Sequence, residues 1–236
     1  MGVNMLILRK SDERGYAKHD WLESWHSFSF ADYHDPAHVH FGPLRVINED
    51  IVQSGTGFGT HGHRDMEILT YVLSGVLQHR DSMGHGGDMR YGEIQLMRAG
   101  IGVQHSEVNP SPGEALHLLQ IWIMPDRQGL TPGYWQKNFP PEAKRGRWCL
   151  LVSPDEAEGS LHIHQDARVS AACLDGTETL SYPIAAERKV YLHIARGSLQ
   201  ANGCELSAGD ALMYTEEAEV VLSTAQDAEV LLFDLG

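Results

Sequence analysis

Short alternating or apolar runs, each closed by Gly, Pro, Asn or Asp, recur along the whole chain, and helical periodicity is scarce. Leu44–Ile47, Glu67–Leu73, Glu93–Met97 and Leu116–Met124 read as strands. So do Leu150–Val152, Lys189–Ile194, Ala211–Tyr214, Glu219–Leu222 and Glu229–Phe233. Many short strands with regular turn signals restrict the chain to an all-β sandwich or barrel. A length of 236 residues allows one large domain or two small ones.

An internal echo favours two. Tyr71-Val-Leu-Ser-Gly-Val-Leu77 is repeated in outline by Leu192-His-Ile-Ala-Arg-Gly-Ser-Leu199. Tyr91-Gly-Glu-Ile-Gln-Leu-Met97 is repeated by Ala208-Gly-Asp-Ala-Leu-Met213, in the same order and at a comparable gap. The stretch Pro125 to Arg147, with four prolines and a basic end, reads as a linker. The expectation is two tandem small β-barrels, spanning 1–130 and 131–236, with few short helices.

The chain carries 18 Lys and Arg against 32 Asp and Glu, a formal charge of −14. Phosphate binding draws its affinity from cationic side chains, so direct binding to nucleic acid or to an anionic membrane surface is not expected. A protein partner is compatible with this charge. Cys149, Cys173 and Cys204 are odd in number and widely spaced, which fits neither a disulfide framework nor a thiolate metal site. The N-terminus lacks a basic start and a small-residue cleavage site, and apolar runs fall far short of the roughly 20 residues of a membrane helix. A cytoplasmic protein is expected.

The 14 histidines are the unusual feature of the composition. Gly59-Thr-His61-Gly-His63-Arg-Asp-Met-Glu67 places two imidazoles at i and i+2, on one face of an extended strand. His105-Ser-Glu107 does the same with an imidazole and a carboxylate. Two such strands facing each other across a barrel would bring three neutral nitrogens and one anionic oxygen to a point, a metal site by residue type. A set without thiolate suits Fe(II), Mn(II), Ni(II), Cu(II) or Zn(II). The pairs His38/His40 and His162/His164 lack this sequel of strand, glycine turn and second box, and are expected not to be ligands.

The series Gly55, His61, His63, Glu67 and Gly75, followed by Gly92, Gly100 and His105, resembles the two motifs of the cupin superfamily. More narrowly, the run from Gly59 to Gly75, Asp81-Ser-Met-Gly84, Arg98-Ala-Gly-Ile-Gly-Val-Gln-His-Ser-Glu107 and Leu116-His-Leu-Leu-Gln-Ile-Trp122 resemble the pirin family, in its bacterial quercetin 2,3-dioxygenase-like branch. Arg14-Gly15 and Asp20 to Tyr33 resemble that branch as well. The resemblance implies a bicupin, two tandem double-stranded β-helix barrels, with metal in the N-terminal one only. Counting from Gly197 and Gly209, the ligand offsets fall on Pro183, Ala185, Lys189, Leu222 and Thr224, none of which can replace the ligands.

In pirins the carboxylate ligand is the one after the second-box histidine, here Glu107. That leaves Glu67 to orient a histidine N–H, with direct ligation by Glu67 as the alternative. The resemblance further implies one divalent transition metal, Fe(II) first, with Ni, Mn, Cu, Co and Zn as alternatives. The implied reaction is dioxygen-dependent cleavage of a flavonol such as quercetin with release of carbon monoxide, Glu107 acting as both ligand and catalytic base. A non-enzymatic redox sensor or regulatory partner-binding protein is the other implied role, and a metal-dependent isomerase stays open because fold does not fix function. His26, Phe28 and Phe30 share a face if extended and, with His117, could wall a pocket, although core packing explains them as well. Tyr71 and Met66 are expected in the core or at the rim.

Overall fold

The computed structural model describes residues 5–236. Its strands, in chain order, open with β1 (Met5–Arg9), β2 (Gly15–Lys18), β3 (Leu22–His26), β4 (Leu44–Val52) and β5 (Gly57–His63). There follow β6 (Glu67–Ser74), β7 (Val76–Asp81), β8 (Gly86–Arg90), β9 (Glu93–Arg98), β10 (Val103–Val108), β11 (Leu116–Ile123) and β12 (Gly133–Asn138). A single α-helical turn, α1 (Pro141–Lys144), precedes β13 (Cys149–Ser153), β14 (Leu161–His162), β15 (Ala167–Gly176), β16 (Leu180–Pro183), β17 (Lys189–Ala201), β18 (Cys204–Ser207), β19 (Ala211–Thr215) and β20 (Glu219–Leu235). The all-β architecture is what the strand pattern predicts, and two cupin domains are what the resemblance implies. Among the described residues no helix is long and apolar enough to cross a membrane.

The chain divides into two compact units, Gly15–Asn138 and Met1–Arg14 together with Phe139–Gly236. The contiguous split at 130/131 is therefore corrected at both ends. β1 hydrogen-bonds along β19, from Arg9 opposite Ala211 to Met5 opposite Thr215, so this strand belongs to the later unit. Asp210 holds the residues that follow it, accepting from the Lys10 ammonium at 2.5 Å and the Ser11 N–H at 2.8 Å. The proposed linker Pro125 to Arg147 contains β12, which completes the edge of the first unit by pairing with β9. Prolines flank this strand without interrupting it, so proline content overstated the break.

Gly15–Asn138 is built from a seven-stranded sheet, β12-β9-β6-β11-β4-β3-β2, and a four-stranded sheet, β5-β10-β7-β8. The seven-stranded sheet presents a layered inner face. Cross-strand register places His26, Asn48, Gln120, Thr70 and Gln95 side by side on β3, β4, β11, β6 and β9, in one polar row. On one side of the row lie Leu22, Val52, Leu118 and Val72, which pack with Leu77 and Met89. On the other side Ile68, Met97, Ala99 and Val103 form a separate apolar cluster. Hydrophobic burial thus holds the barrel together from both ends, and polar groups cross its middle.

The second unit has one nine-stranded sheet, β1-β19-β17-β20-β15-β13-β14, with β16 on β20 and β18 on β17. Its core, including Leu192, Ile194, Leu212, Tyr214, Val230 and Leu232, is continuous and apolar. Glu219–Leu222 and Glu229–Phe233, expected as separate strands, lie in the single strand β20. Likewise Gly197, read as a turn, lies within β17, where the register with β20 shifts on either side of it. Its φ is +65°, and a Cβ there would meet the Gln226 carbonyl oxygen at 2.2 Å, so only glycine permits this bend.

Candidate metal centre

His61 and His63 lie on β5, and His105 and Glu107 on β10. These strands are hydrogen-bonded neighbours, with His61 opposite His105, and do not face each other across the barrel. The convergence is consequently tighter than the sequence suggested. The ring nitrogens Nε2 of His63 and His105 are 2.9 Å apart, and those of His105 and His61 are 3.1 Å apart. An ion with ligand nitrogens at about 2.1 Å spans adjacent octahedral corners about 3.0 Å apart, so the spacing suits a cation shared by the three rings.

The register slips between His105 and Glu107, so that Glu107 pairs with Phe58 on β5. The chain approach there is close. A Cβ on Gly57 would lie 2.2 Å from the Glu107 carbonyl oxygen and 2.5 Å from Val108 Cα. The glycines that weaken β5 as a sequence signal are thus what lets it meet β10.

The electrostatics favour ligand chemistry. Burial pushes His63 down to about 4 and His105 down to about 3, helped for both by the neighbouring imidazoles. Both are neutral near pH 7, the state a cation requires. The Nδ1 of His61 lies 2.7 Å from the Gly59 carbonyl, which as an acceptor takes an Nδ1–H and turns the Nε2 lone pair toward the other rings. The indole of Trp122 stands edge-on to His63 at 4.9 Å between ring centres.

Glu107 is buried, and the polar row reaches it from the opposite sheet. Gln120 Nε2 donates to Oε2 at 2.8 Å, while Thr70 and Gln95 donate to Oε1 at 3.4 and 3.5 Å. Burial pushes its carboxyl up to about 7 against these hydrogen bonds, with the Asp50 charge adding to the rise. Ligand atoms of His61, His63 and His105 form one group within 4.8 Å of one another; Glu107 forms a second with His105 and His79. His105 is common to both.

His79, on β7 opposite Glu107, was not foreseen. It is buried against the Tyr134 ring, stacked at 4.7 Å, with Nε2 3.3 Å from Asp81 Oδ2. The alternation Leu77, His79, Asp81 in an otherwise polar strand was the available signal. Glu67, expected to orient a histidine, accepts from Arg98 Nε at 3.1 Å and belongs to neither group of candidate ligands among the described residues. Arg98 in turn covers Trp135, 4.7 Å from the ring centre. Glu67 lies opposite Arg98 in the β6–β9 ladder.

A cavity of about 500 Å³ opens beside the histidines. Trp21, Phe30, Phe58 and Trp122 give it aromatic walls, and Ser24, His26, Asn48 and Asp50 a polar one. Two of the four suggested pocket residues, His26 and Phe30, do line it. Phe28 is instead buried in the core, and His117 sits on the opposite face of β11, 2.9 Å from Glu49. Tyr71 is buried and Met66 packs beside Ile68, as expected for core residues. His38 bonds to Asp35, His40 to the Gly42 carbonyl, and His162 packs on His164; neither pair joins a candidate ligand group among the described residues.

Two all-β cupin units, one of them with clustered imidazoles beside an aromatic cavity, define a bicupin. Residues 8–123 match the Pirin family and residues 150–235 the quercetinase C-terminal cupin domain. The chain is 49% identical to a quercetin 2,3-dioxygenase of Escherichia coli strain K12, covering 98% of this chain and 99% of that one. A pirin-like protein of Caulobacter vibrioides is 40% identical over 98% of this chain and 99% of its own. The crystal structure of bacterial pirin YhhW in complex with nickel(II), from Escherichia coli, superposes with a TM-score of 0.93 at 48% identity, covering 98% and 99% of the two chains. This protein belongs to the pirin family, in its quercetin 2,3-dioxygenase-like branch.

Proposed function

We propose that this protein is a metal-dependent dioxygenase that cleaves a flavonol such as quercetin with release of carbon monoxide. The observation that carries this is the convergence of three imidazole Nε2 atoms beside an aromatic-walled cavity of about 500 Å³, with the buried carboxyl of Glu107 on the same wall. His61, His63, His105 and Glu107 would hold one divalent cation, Fe(II) in the first instance, with Ni, Mn, Cu, Co and Zn as rivals. Held by these residues, the ion would supply Lewis acidity. A nickel complex of the Escherichia coli pirin makes nickel the first rival.

The protein's own part follows from its side chains. Trp21, Phe58 and Trp122 exclude water from a flat aromatic ring and hold it by apolar contact. Glu107, whose proton affinity burial raises, accepts the proton of the flavonol 3-hydroxyl. Gln120, Thr70 and Gln95 orient that carboxylate through the hydrogen bonds described above. Both atoms of dioxygen enter the product, and the carbon that bore the 3-hydroxyl leaves as carbon monoxide. The odd number and wide spacing of Cys149, Cys173 and Cys204 support a reducing, cytoplasmic setting.

The test is anaerobic reconstitution with each divalent metal singly, then quercetin and dioxygen, following dioxygen uptake and carbon monoxide release. Stoichiometric turnover with at least one metal is expected. Metal uptake without turnover by any of them would replace the enzyme with a non-enzymatic metal sensor or partner-binding protein. Independently, His61→Ala and Glu107→Gln should each lower bound metal; unchanged content in both refutes the ligand set.

A further inference from the structure

The cavity has a polar wall that the metal centre does not use. Ser24, His26, Asn48 and Asp50 lie on β3 and β4, and all four are buried yet line the cavity. Ser24 Oγ donates to Asp50 Oδ1 at 2.5 Å, and His26 Nδ1 lies 2.9 Å from Asn48 Oδ1. Those contacts consume only part of the hydrogen-bonding capacity. An asparagine amide has two N–H donors and a carboxyl has two oxygens. Among the described residues Asn48 Nδ2 and Asp50 Oδ2 have no protein partner, and neither is sealed off as a buried orphan, so both are open to the cavity.

Keeping such groups on an inner sheet face carries a cost. Partly satisfied polar side chains in an apolar setting destabilise the fold unless something completes their hydrogen bonds. The apolar rows on either side, Leu22 with Val52 and Val46 with Trp122, show that the same strands elsewhere fill this face with hydrocarbon. Asn48 and His26 end the polar row whose other members, Gln120, Thr70 and Gln95, bond to Glu107, so the wall and the groups that orient the carboxylate lie on one sheet. The remaining walls are aromatic, with Trp21 edge-on to Phe58 at 5.1 Å and Phe30 edge-on to Trp122 at 5.5 Å. Together they form a slot for a flat ring whose edge carries hydroxyl groups.

We propose that Asp50 and Asn48, supported by Ser24 and His26, bind ring hydroxyls of a polyphenol along the polar wall of the cavity, and thereby select among flavonols. This rests on the flavonol reading of the site and adds a specificity element to it. Asp50 accepts from a hydroxyl, and the Asn48 amide donates to one. These are positioning residues, since they touch the substrate at a part that does not react.

Quenching of tryptophan fluorescence on anaerobic, metal-loaded protein reads binding directly, because Trp21 and Trp122 line the cavity. The probes are quercetin, kaempferol and galangin, flavonols with two, one and no hydroxyls on the pendant ring. Wild type should lose about tenfold in affinity from quercetin to galangin, the scale of one well-made hydrogen bond. Asp50→Leu should bind quercetin about tenfold more weakly and galangin unchanged, with Asp50→Asn intermediate. In turnover, KM for quercetin should rise by more than kcat falls, because Asp50 reaches the base only through its charge on Glu107. Equal wild-type affinity for all three probes, or full hydroxyl preference retained in folded Asp50→Leu or Asp50→Asn, overturns the inference. The wild-type series needs no variant, so a misfolded Asp50→Leu leaves the test intact. Wild type that binds none of the probes overturns this inference together with the proposed function. Hydroxyl-dependent binding without turnover removes only the dioxygenase and supports the polar wall.

Discussion

Asp50 shows how one buried carboxyl couples the cavity to stability. Burial pushes it up to about 7 from the ordinary 3.8, against the Ser24 hydrogen bond. A group whose folded value lies above its unfolded one contributes most stability below the unfolded value, and that contribution is lost as pH rises toward the folded value. Metal-free wild type should therefore lose stability to urea between about pH 4 and pH 7 relative to Asp50→Asn, and the difference should level off above that window. Glu107 titrates with the same sign, and because the Asp50 charge adds to its rise, Asp50→Asn removes that coupling too and the measured difference contains both contributions. Gly57 is the second single-residue test. Its Cβ would collide with the backbone of β10, so Gly57→Ala should cost about 1–3 kcal/mol by overpacking. Bound metal should fall with it, because the shift moves Glu107; unchanged metal content would show that the slip in register does not set the carboxylate.

At the scale of elements, the seven-stranded sheet does two jobs with one inner face. Its apolar rows build two clusters, and the polar row between them runs from Gln95 to His26 across five strands. Gln120 sits at the centre of that row and donates to Glu107 across to the other sheet. Gln120→Leu preserves volume and strand preference while removing the donor. Metal affinity should drop about 10–100-fold, as for other groups that orient ligands, with the circular dichroism spectrum unchanged. Wild-type affinity in a folded variant would mean that Thr70 and Gln95 suffice.

At the scale of the molecule, the two units divide structure and chemistry between them. The later unit contains no group of three or more candidate metal ligands among the described residues, and the offsets at Pro183, Ala185, Lys189, Leu222 and Thr224 explain why. It spends its buried charge on packing instead. Lys144 of α1 is buried and donates to Glu229 at 2.8 Å, with Arg196 3.8 Å from the same carboxylate. Removing Lys144 leaves the buried Glu229 carboxylate only partly compensated by Arg196, so Lys144→Ala should destabilise by about 2–3 kcal/mol, below the roughly 3–5 kcal/mol of a fully stranded charge. Bound metal should stay at the wild-type level, since the candidate ligands all lie in Gly15–Asn138. Loss of metal at temperatures where the variant is folded would contradict this division.

Strand periodicity, the glycine turns and the two His-x-His and His-x-Glu boxes are local, and they determined the all-β class, the doubling and the residues to examine first. The alternation of side chains in a strand is a property of the backbone alone, which is why His61 with His63 and His105 with Glu107 could be assigned to common faces from spacing. Which strands stand next to each other is not local. Pairing made β5 and β10 neighbours, gave β1 to the later unit, and turned a proline-rich stretch into the edge strand β12. The same pairing aligned Asn48, Thr70, Gln95 and Gln120, polar residues from four separate strands, into one row, and set His79 beside Glu107. Register is a sum over many weak cross-strand contacts, so a polar row of this kind exists only once the sheet has formed.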